Sequence, residues 1–299
     1  MEEADYIWMD GKYVAWKDAK VHVLSHALHY GSGAFEGIRC YSTPKGPAIF
    51  RLKEHIDRLW HSASVFGMEI PYTKKEFMQA TIGLIKKNRL DACYIRPIIF
   101  FGYKNLGVNP TGNPINCVIA TWPWGAYLGK DVVRVKVAST IRLHPKSTDT
   151  SAKICGHYVN SIQANREAKK AGYDEALMLD EDGYVTEGSG ENLFMVKDGI
   201  LLTPPLGNIL PGITRDSVMQ LARDMDTPVE EKRITLDDVK AADEVFFTGT
   251  AAEIVAIGEI DDTTIIGTPG PITKKLRKQF LGIVHGTSDA HKEWLTFVK

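Results

Sequence analysis

Three Asp-Gly dipeptides interrupt strand-like sequence, at 10–11, 182–183 and 198–199. Asp-Gly between apolar, β-rich runs favours a two-residue turn, because both turn positions need positive φ. The clearest case is Tyr6–Trp16, apolar-rich with Asp10-Gly11 in its middle. Tight hairpins join antiparallel neighbours, so much of the sheet should be antiparallel. Further β-rich runs are Cys93–Phe101 and Asn116–Trp122, and strands are expected at 132–139, 244–248 and 253–260. Helical spacing covers 53–67 and 74–88, with Thr73 a candidate N-cap for the second. Helices are also expected over 158–171, 214–225 and 272–285. Strands with helices attached, without regular βαβ alternation, define an α+β chain.

The composition fits that class. Apolar residues are 44% and charged residues 24% of 299, so a sizeable core is available. Net charge is -1 with no basic block, which gives no support for nucleic acid or an anionic membrane as partner. No run approaches the length of a membrane helix. The acidic N-terminus lacks a signal-peptide apolar stretch, and the four cysteines form no CxxC pair. Both point to reduced thiols in a cytoplasmic protein. The change of character after residue 125 suggests a small N-terminal α/β domain at 1–125, a connection at 126–138 and a large C-terminal domain at 139–299 that carries Lys153.

Lys153 stands among small residues, and Glu187 follows in Thr-Glu-Gly-Ser-Gly-Glu-Asn (186–192). A lysine can form a Schiff base with an aldehyde cofactor. A carboxylate against a pyridine nitrogen keeps that ring protonated and electron-withdrawing. The pair suggests pyridoxal phosphate chemistry. Other candidates have two readings each. Arg58 is either a solvated or ion-paired helix charge or a phosphate clamp. Tyr94 and Arg96 share one strand face, as a carboxylate receptor or a structural salt bridge. Pro211-Gly-Ile-Thr-Arg215 reads as a helix N-terminus capped by Thr214, where free N–H groups suit a phosphate. Gly249-Thr-Ala-Ala-Glu253 is a plain turn or one that lets a ligand approach the backbone. His22, His26 and His29 are spaced for one helix face. Without an HExxH glutamate, packing and hydrogen bonding near a turn are favoured over a metal site, and no metal is expected.

With these words in order, the chain resembles the branched-chain amino acid aminotransferases among the fold-type IV pyridoxal phosphate enzymes. The resemblance runs through Ser25–Gly31, Phe35–Arg39, Tyr94–Pro97, Leu106–Pro110, Trp124–Leu128, Ala152-Lys153, Glu187–Phe194, Leu210–Arg215 and Gly249–Glu253. It implies a two-domain D-amino acid aminotransferase-like fold with pyridoxal 5′-phosphate as cofactor. Lys153 would be the catalytic base and cofactor anchor, Glu187 the partner of the ring nitrogen and Tyr158 that of the ring oxygen. Arg58, Ile213, Thr214 and Thr250 would hold the phosphate. Thr250-Ala251 would receive the α-carboxylate, with Tyr94 and Arg96 around it. Tyr30, Phe35, Val108, Trp124 and Tyr127 would line the side-chain pocket, Tyr30 and Val108 from a second subunit. The partners implied are small amino and 2-oxo acids and a homodimer or higher homo-oligomer. D-amino acid aminotransferases and aminodeoxychorismate lyases share the fold and the lysine–glutamate pair. Tyr94-Ile-Arg96 with Gly249-Thr-Ala-Ala argues for the branched-chain group. The segment 140–149 departs from the form expected ahead of the lysine.

Overall fold

The computed structural model describes residues 2–124 and 129–299. The chain forms two compact units. The first comprises Met1–Gly125, Ala152–His157 and Ile283–Lys299; the second comprises Ala126–Ser151 and Tyr158–Gly282. The division therefore differs from the expected one in three stretches: 152–157 and 283–299 belong to the first unit, and 126–138, expected as a connection, belongs to the second. Ala152–His157 belongs with the first unit because Ile154 bridges Ala34 and Lys153 O accepts from Phe35 N–H at 3.1 Å. Lys153 is thus built into the first unit, not into the C-terminal body expected to carry it.

In the first unit, β1 (Tyr6–Met9) and β2 (Lys12–Ala15) form the expected hairpin. Asp10 and Gly11 take φ of 46° and 86°, as a type I′ turn demands. Asp10 also accepts from Cys117 N–H at 2.7 Å, which pins the turn to the strand beyond. Next come α1 (His26–Tyr30), β3 (Gly33–Phe35), β4 (Ile38–Tyr41) and β5 (Ala48–Phe50). They are followed by α2 (Leu52–Ser64), α3 (Lys74–Lys87), β6 (Cys93–Phe101) and β7 (Ile115–Trp122). The strands run β5-β4-β6-β7-β1-β2, with β3 also on β6, all antiparallel. Leu52, Ile56, Leu59 and Ala63 bury one face of α2 in a core shared with Ile38, Ile49, Ile95 and Ile119. Thr73 caps α3 in a full capping box with Glu76.

The second unit opens with β8 (Val132–Val137), α4 (Tyr158–Lys170), β9 (Glu175–Leu179), β10 (Tyr184–Gly188), β11 (Asn192–Lys197) and β12 (Ile200–Thr203). It continues with α5 (Ile213–Asp224), β13 (Val229–Glu231), β14 (Ile234–Thr235), α6 (Leu236–Lys240), β15 (Glu244–Gly249), β16 (Glu253–Ile260), β17 (Thr263–Thr264) and α7 (Pro271–Val284). The strand order is β13-β12-β11-β15-β16-β8-β9-β10-β14. The Asp-Gly turns join β9 to β10 and β11 to β12 as antiparallel pairs. However, β8 runs parallel to both β9 and β16. A parallel pair needs a long crossover, and α4 supplies it between β8 and β9. Val133, Val135, Leu177, Leu193, Phe247 and Ile257 form this unit's core. The last strand, β18 (Leu295–Phe297), pairs with β5 at the edge of the first sheet. Among the described residues, no helix is long and apolar enough to cross a membrane.

Candidate active site

Lys153 is held by its own backbone. Its N–H donates to Ser62 Oγ at 2.8 Å, and Ser62 O–H donates to Arg58 O at 2.8 Å on the same turn of α2. The ammonium lies 5.2 Å from the centre of the Phe35 ring. The turn preceding β3 fits because Gly31, at φ 63°, approaches Gly156 so closely that a Cβ would sit 2.7 Å from its Cα. Arg96 shares the aromatic surroundings. Its guanidinium carbon is 5.0 Å from the Phe35 ring centre and 5.3 Å from that of Tyr94. Tyr94 in turn packs on Trp124 at 4.9 Å. Among the described residues, Arg96 Nε is buried without a hydrogen-bond partner. Arg96 thus has no structural carboxylate at that nitrogen, which removes the salt-bridge reading there.

Arg58 does have one. Its Nε–H and Nη2–H donate to Glu36 at 2.6 and 2.9 Å, in a fork, and His55 Nδ1–H donates to the same carboxylate at 2.8 Å. Glu36 and His55 are fully buried. Burial opposes ionisation of Glu36, but the Arg58 charge and these hydrogen bonds outweigh it and hold the carboxyl well below the usual range. Burial pushes His55 down, against the pull of Glu36. The consistent state is an ionised Glu36 beside a neutral His55, whose other nitrogen is buried without a partner. Neither residue was singled out from the sequence. The available signal was a lone carboxylate inside the apolar run Ala34–Ile38.

This trio has a pH signature. Glu36 stabilises the fold above its unfolded value of about 4.3, and His55 does so above about 6.5. Both contributions fade as pH falls, because each group's folded-state pKa is depressed. Glu36→Gln is expected to cost about 1.5–3 kcal/mol near neutral pH and to flatten the acid limb of stability. Urea unfolding across that range measures both, and an acid limb unchanged by the substitution contradicts the assignment.

Tyr30 and Val108 stand apart from these groups. They are 46% and 83% exposed. Tyr30 O–H donates to Leu106 O at 3.1 Å, and His26 Nε2 meets Gly107 O at 2.8 Å, so α1 holds the loop that carries Val108. His26 also meets Ser32 Oγ at 2.6 Å, His29 meets Val23 O, and His22 stacks on Tyr103. The three histidines therefore do not share a helix face, because α1 begins only at His26.

In the second unit, Glu187 on β10 lies opposite Asn192 on β11. The residue is 5% exposed, and three of the groups that donate to its carboxylate belong to this unit. These are Arg142 Nε–H at 2.7 Å, Asn192 Nδ2–H at 3.0 Å and Leu210 N–H at 3.2 Å. Arg142 and Asn192 were not singled out from the sequence. Tyr158 begins α4 and is half-buried. Helix α5 corrects the expected cap: its N-cap is Gly212, extended and without a side-chain cap, while Thr214 lies buried inside the first turn. Glycine is required there because a Cβ would collide with Asn192 Oδ1. The first-turn N–H groups of Ile213 and Thr214 are therefore not capped by Thr214, which suits an anion. Thr250 and Ala251 form the turn between β15 and β16. Tyr127 lies outside the described residues.

Comparison with known proteins identifies the family. The model of the amino-transferase class IV family matches residues 33–260, and the chain belongs to that family. It is similar to the branched-chain-amino-acid aminotransferase of Pseudomonas aeruginosa, 48% identical over 298 residues, covering 98% of this chain and 97% of the relative. The crystal structure of a T.th. branched-chain amino acid aminotransferase complexed with N-(5′-phosphopyridoxyl)-L-glutamate has a TM-score of 0.97 at 48% identity, over 100% of both chains. That enzyme complexed with 4-methylvaleric acid has a TM-score of 0.96 at 46% identity, again over 100% of both chains. The fold is the α+β, two-domain architecture of fold-type IV enzymes.

Proposed function

We propose that the chain is a pyridoxal 5′-phosphate-dependent aminotransferase acting on leucine, isoleucine and valine. It passes their amino group to 2-oxoglutarate, giving branched-chain 2-oxo acids and L-glutamate in two half-reactions. The observation that carries this reading is the buried Glu187 carboxylate, fixed by Arg142, Asn192 and Leu210 N–H. Such a group, held ionised by Arg142, suits a protonated ring nitrogen. The donors fit the rest of the cofactor. Arg58, the first-turn N–H groups at Ile213 and Thr214, and Thr250 would hold the phosphate, and the Tyr158 phenol would meet the ring oxygen. When bound, the cofactor supplies an electron sink for the electrons left at the substrate Cα.

The chain's own residues do the remainder. Lys153, as a neutral amine, takes the Cα proton and returns it at the cofactor's C4′. The Ser62 and Phe35 bonds to its backbone limit where that amine can reach. Thr250-Ala251 receives the α-carboxylate, with Tyr94 and Arg96 beside it. Phe35 and Trp124 would form apolar walls, while Tyr30 and Val108 would complete the pocket of a second copy. Exposed Val21, Val23, Leu28 and Tyr30 form an apolar surface on the first unit that a second copy would cover. A cytoplasmic setting agrees with four free cysteines.

Two measurements test the proposal. Borohydride reduction of the purified yellow protein is expected to leave the cofactor attached to Lys153 on peptide mapping. A donor–acceptor matrix is expected to favour L-leucine with 2-oxoglutarate over D-alanine or aminodeoxychorismate. A label on another lysine, or D-alanine as the better donor, overturns it.

A further inference from the structure

Arg142 lies outside the roles assigned above except as a contact of Glu187. It is 9% exposed. Its backbone N–H donates to Leu179 O at 2.8 Å, its Nε–H to Glu187 Oε1 at 2.7 Å and its Nη1–H to Asn160 Oδ1 at 3.4 Å. Asn160 on α4 donates back to Ile141 O at 2.8 Å. The guanidinium is thus fixed from its own backbone and from a neighbouring helix. A charge buried to this degree is costly unless it is paired and bonded. Arg142 meets both conditions, and its partner is the carboxylate assigned to the cofactor's ring nitrogen.

That nitrogen and Glu187 are two bases facing one proton. A carboxylate alone in a buried site is easily protonated, because burial disfavours its charge. A guanidinium in direct contact reverses this by favouring the carboxylate form. The contact falls on Oε1, while Asn192 Nδ2–H and the nearer approach of Leu210 N–H fall on Oε2. Both oxygens therefore have set directions before any ligand arrives.

We propose that Arg142 is a positioning residue that keeps the shared proton on the ring nitrogen by disfavouring the carboxylic acid form of Glu187. No bond to carbon is involved. The alternative it suppresses is transfer of that proton from nitrogen to a Glu187 oxygen, which leaves a neutral ring and a weaker electron sink. The inference rests on the assignment of Glu187 to the ring nitrogen.

The experiment uses holoenzyme carrying cofactor with an isotopically labelled ring nitrogen, read by NMR, beside single-turnover rates with L-leucine. Arg142→Gln keeps a hydrogen-bonding group and removes the charge. It is expected to move the nitrogen signal from the pyridinium range toward neutral pyridine. The rate should fall by about thirtyfold, as for other outer-shell partners, with KM changed by less than about twofold. Arg142→Lys, which retains charge, is expected to restore the pyridinium signal and most of the rate. A pyridinium signal in Arg142→Gln overturns the proposal. If Arg142→Gln does not fold, Arg142→Lys decides alone: a pyridinium signal supports the proposal and a neutral-pyridine signal overturns it. Glu187→Gln separates the two layers. If it shifts the signal and Arg142→Gln does not, only the role of Arg142 falls. If Glu187→Gln leaves the signal unmoved, the assignment of Glu187 falls with it.

Discussion

Glu187→Gln is expected to slow Cα-proton removal from L-leucine on the order of a thousandfold while cofactor remains bound. An amide is nearly the same size as the carboxylate but cannot stabilise a positive ring nitrogen. The loss lies in the transition state, where electrons from Cα enter the ring, so it should fall on kcat rather than on KM. The estimate matches the cost of deleting one preorganised electrostatic partner from a buried site. The fold should survive, since Asn192 and Leu210 can still bond an amide oxygen, although Arg142 loses its anion. Stopped-flow single turnovers give the rate, and the absorption of bound cofactor gives occupancy. Near-normal turnover at full occupancy assigns Glu187 some other task.

Arg96→Met should separate the two substrates. Both carry an α-carboxylate, which Thr250-Ala251 and Tyr94 are proposed to receive. Only the acidic substrate brings a second carboxylate. Arg96 has a buried Nε without a partner and three aromatic rings around its guanidinium. A carboxylate arriving there finds a charge already desolvated. Losing the arginine leaves the acidic substrate's second carboxylate unpaired, at a cost of about 2–5 kcal/mol, against about 1 kcal/mol for an apolar substrate. Methionine keeps much of the volume, so the aromatic packing should hold. The measurement is kcat/KM of each half-reaction in wild type and variant. Equal losses for L-leucine and 2-oxoglutarate move Arg96 to the shared α-carboxylate or to support of β6.

Much of the fold was legible where the signal is local. Asp10-Gly11 and Asp198-Gly199 need positive φ, and both turns take it. Thr73 and Glu76 lie three apart and form the capping box. Thr214 failed as a cap because α5 starts one residue earlier, after Gly212, a position where Asn192 on β11 leaves no room for a side chain. The parallel placing of β8 was hidden for a similar reason. Its neighbours β9 and β16 are decided by a crossover and by a strand more than a hundred residues later, not by its own alternation. The motif words pointed to Lys153, Glu187 and Arg58, but not to what holds them. Arg142 is 45 residues from Glu187, and Glu36 is 22 from Arg58. Pairings at such separations leave no periodicity to read.

The first sheet ends on β18, whose residues 295–297 pair with β5. Arg51 N–H also donates to Trp294 O at 2.7 Å, next to that pairing. The second unit, by contrast, draws on nothing beyond Gly282. During synthesis the N-terminal sheet therefore gains its last strand only when residues near 297 emerge, while the body encoded between can close earlier. Domains usually complete in the order in which they are translated, and here that order is inverted. A chain released early would carry a finished second unit and a first sheet with β5 as an open edge, the kind of edge on which another chain can add a strand.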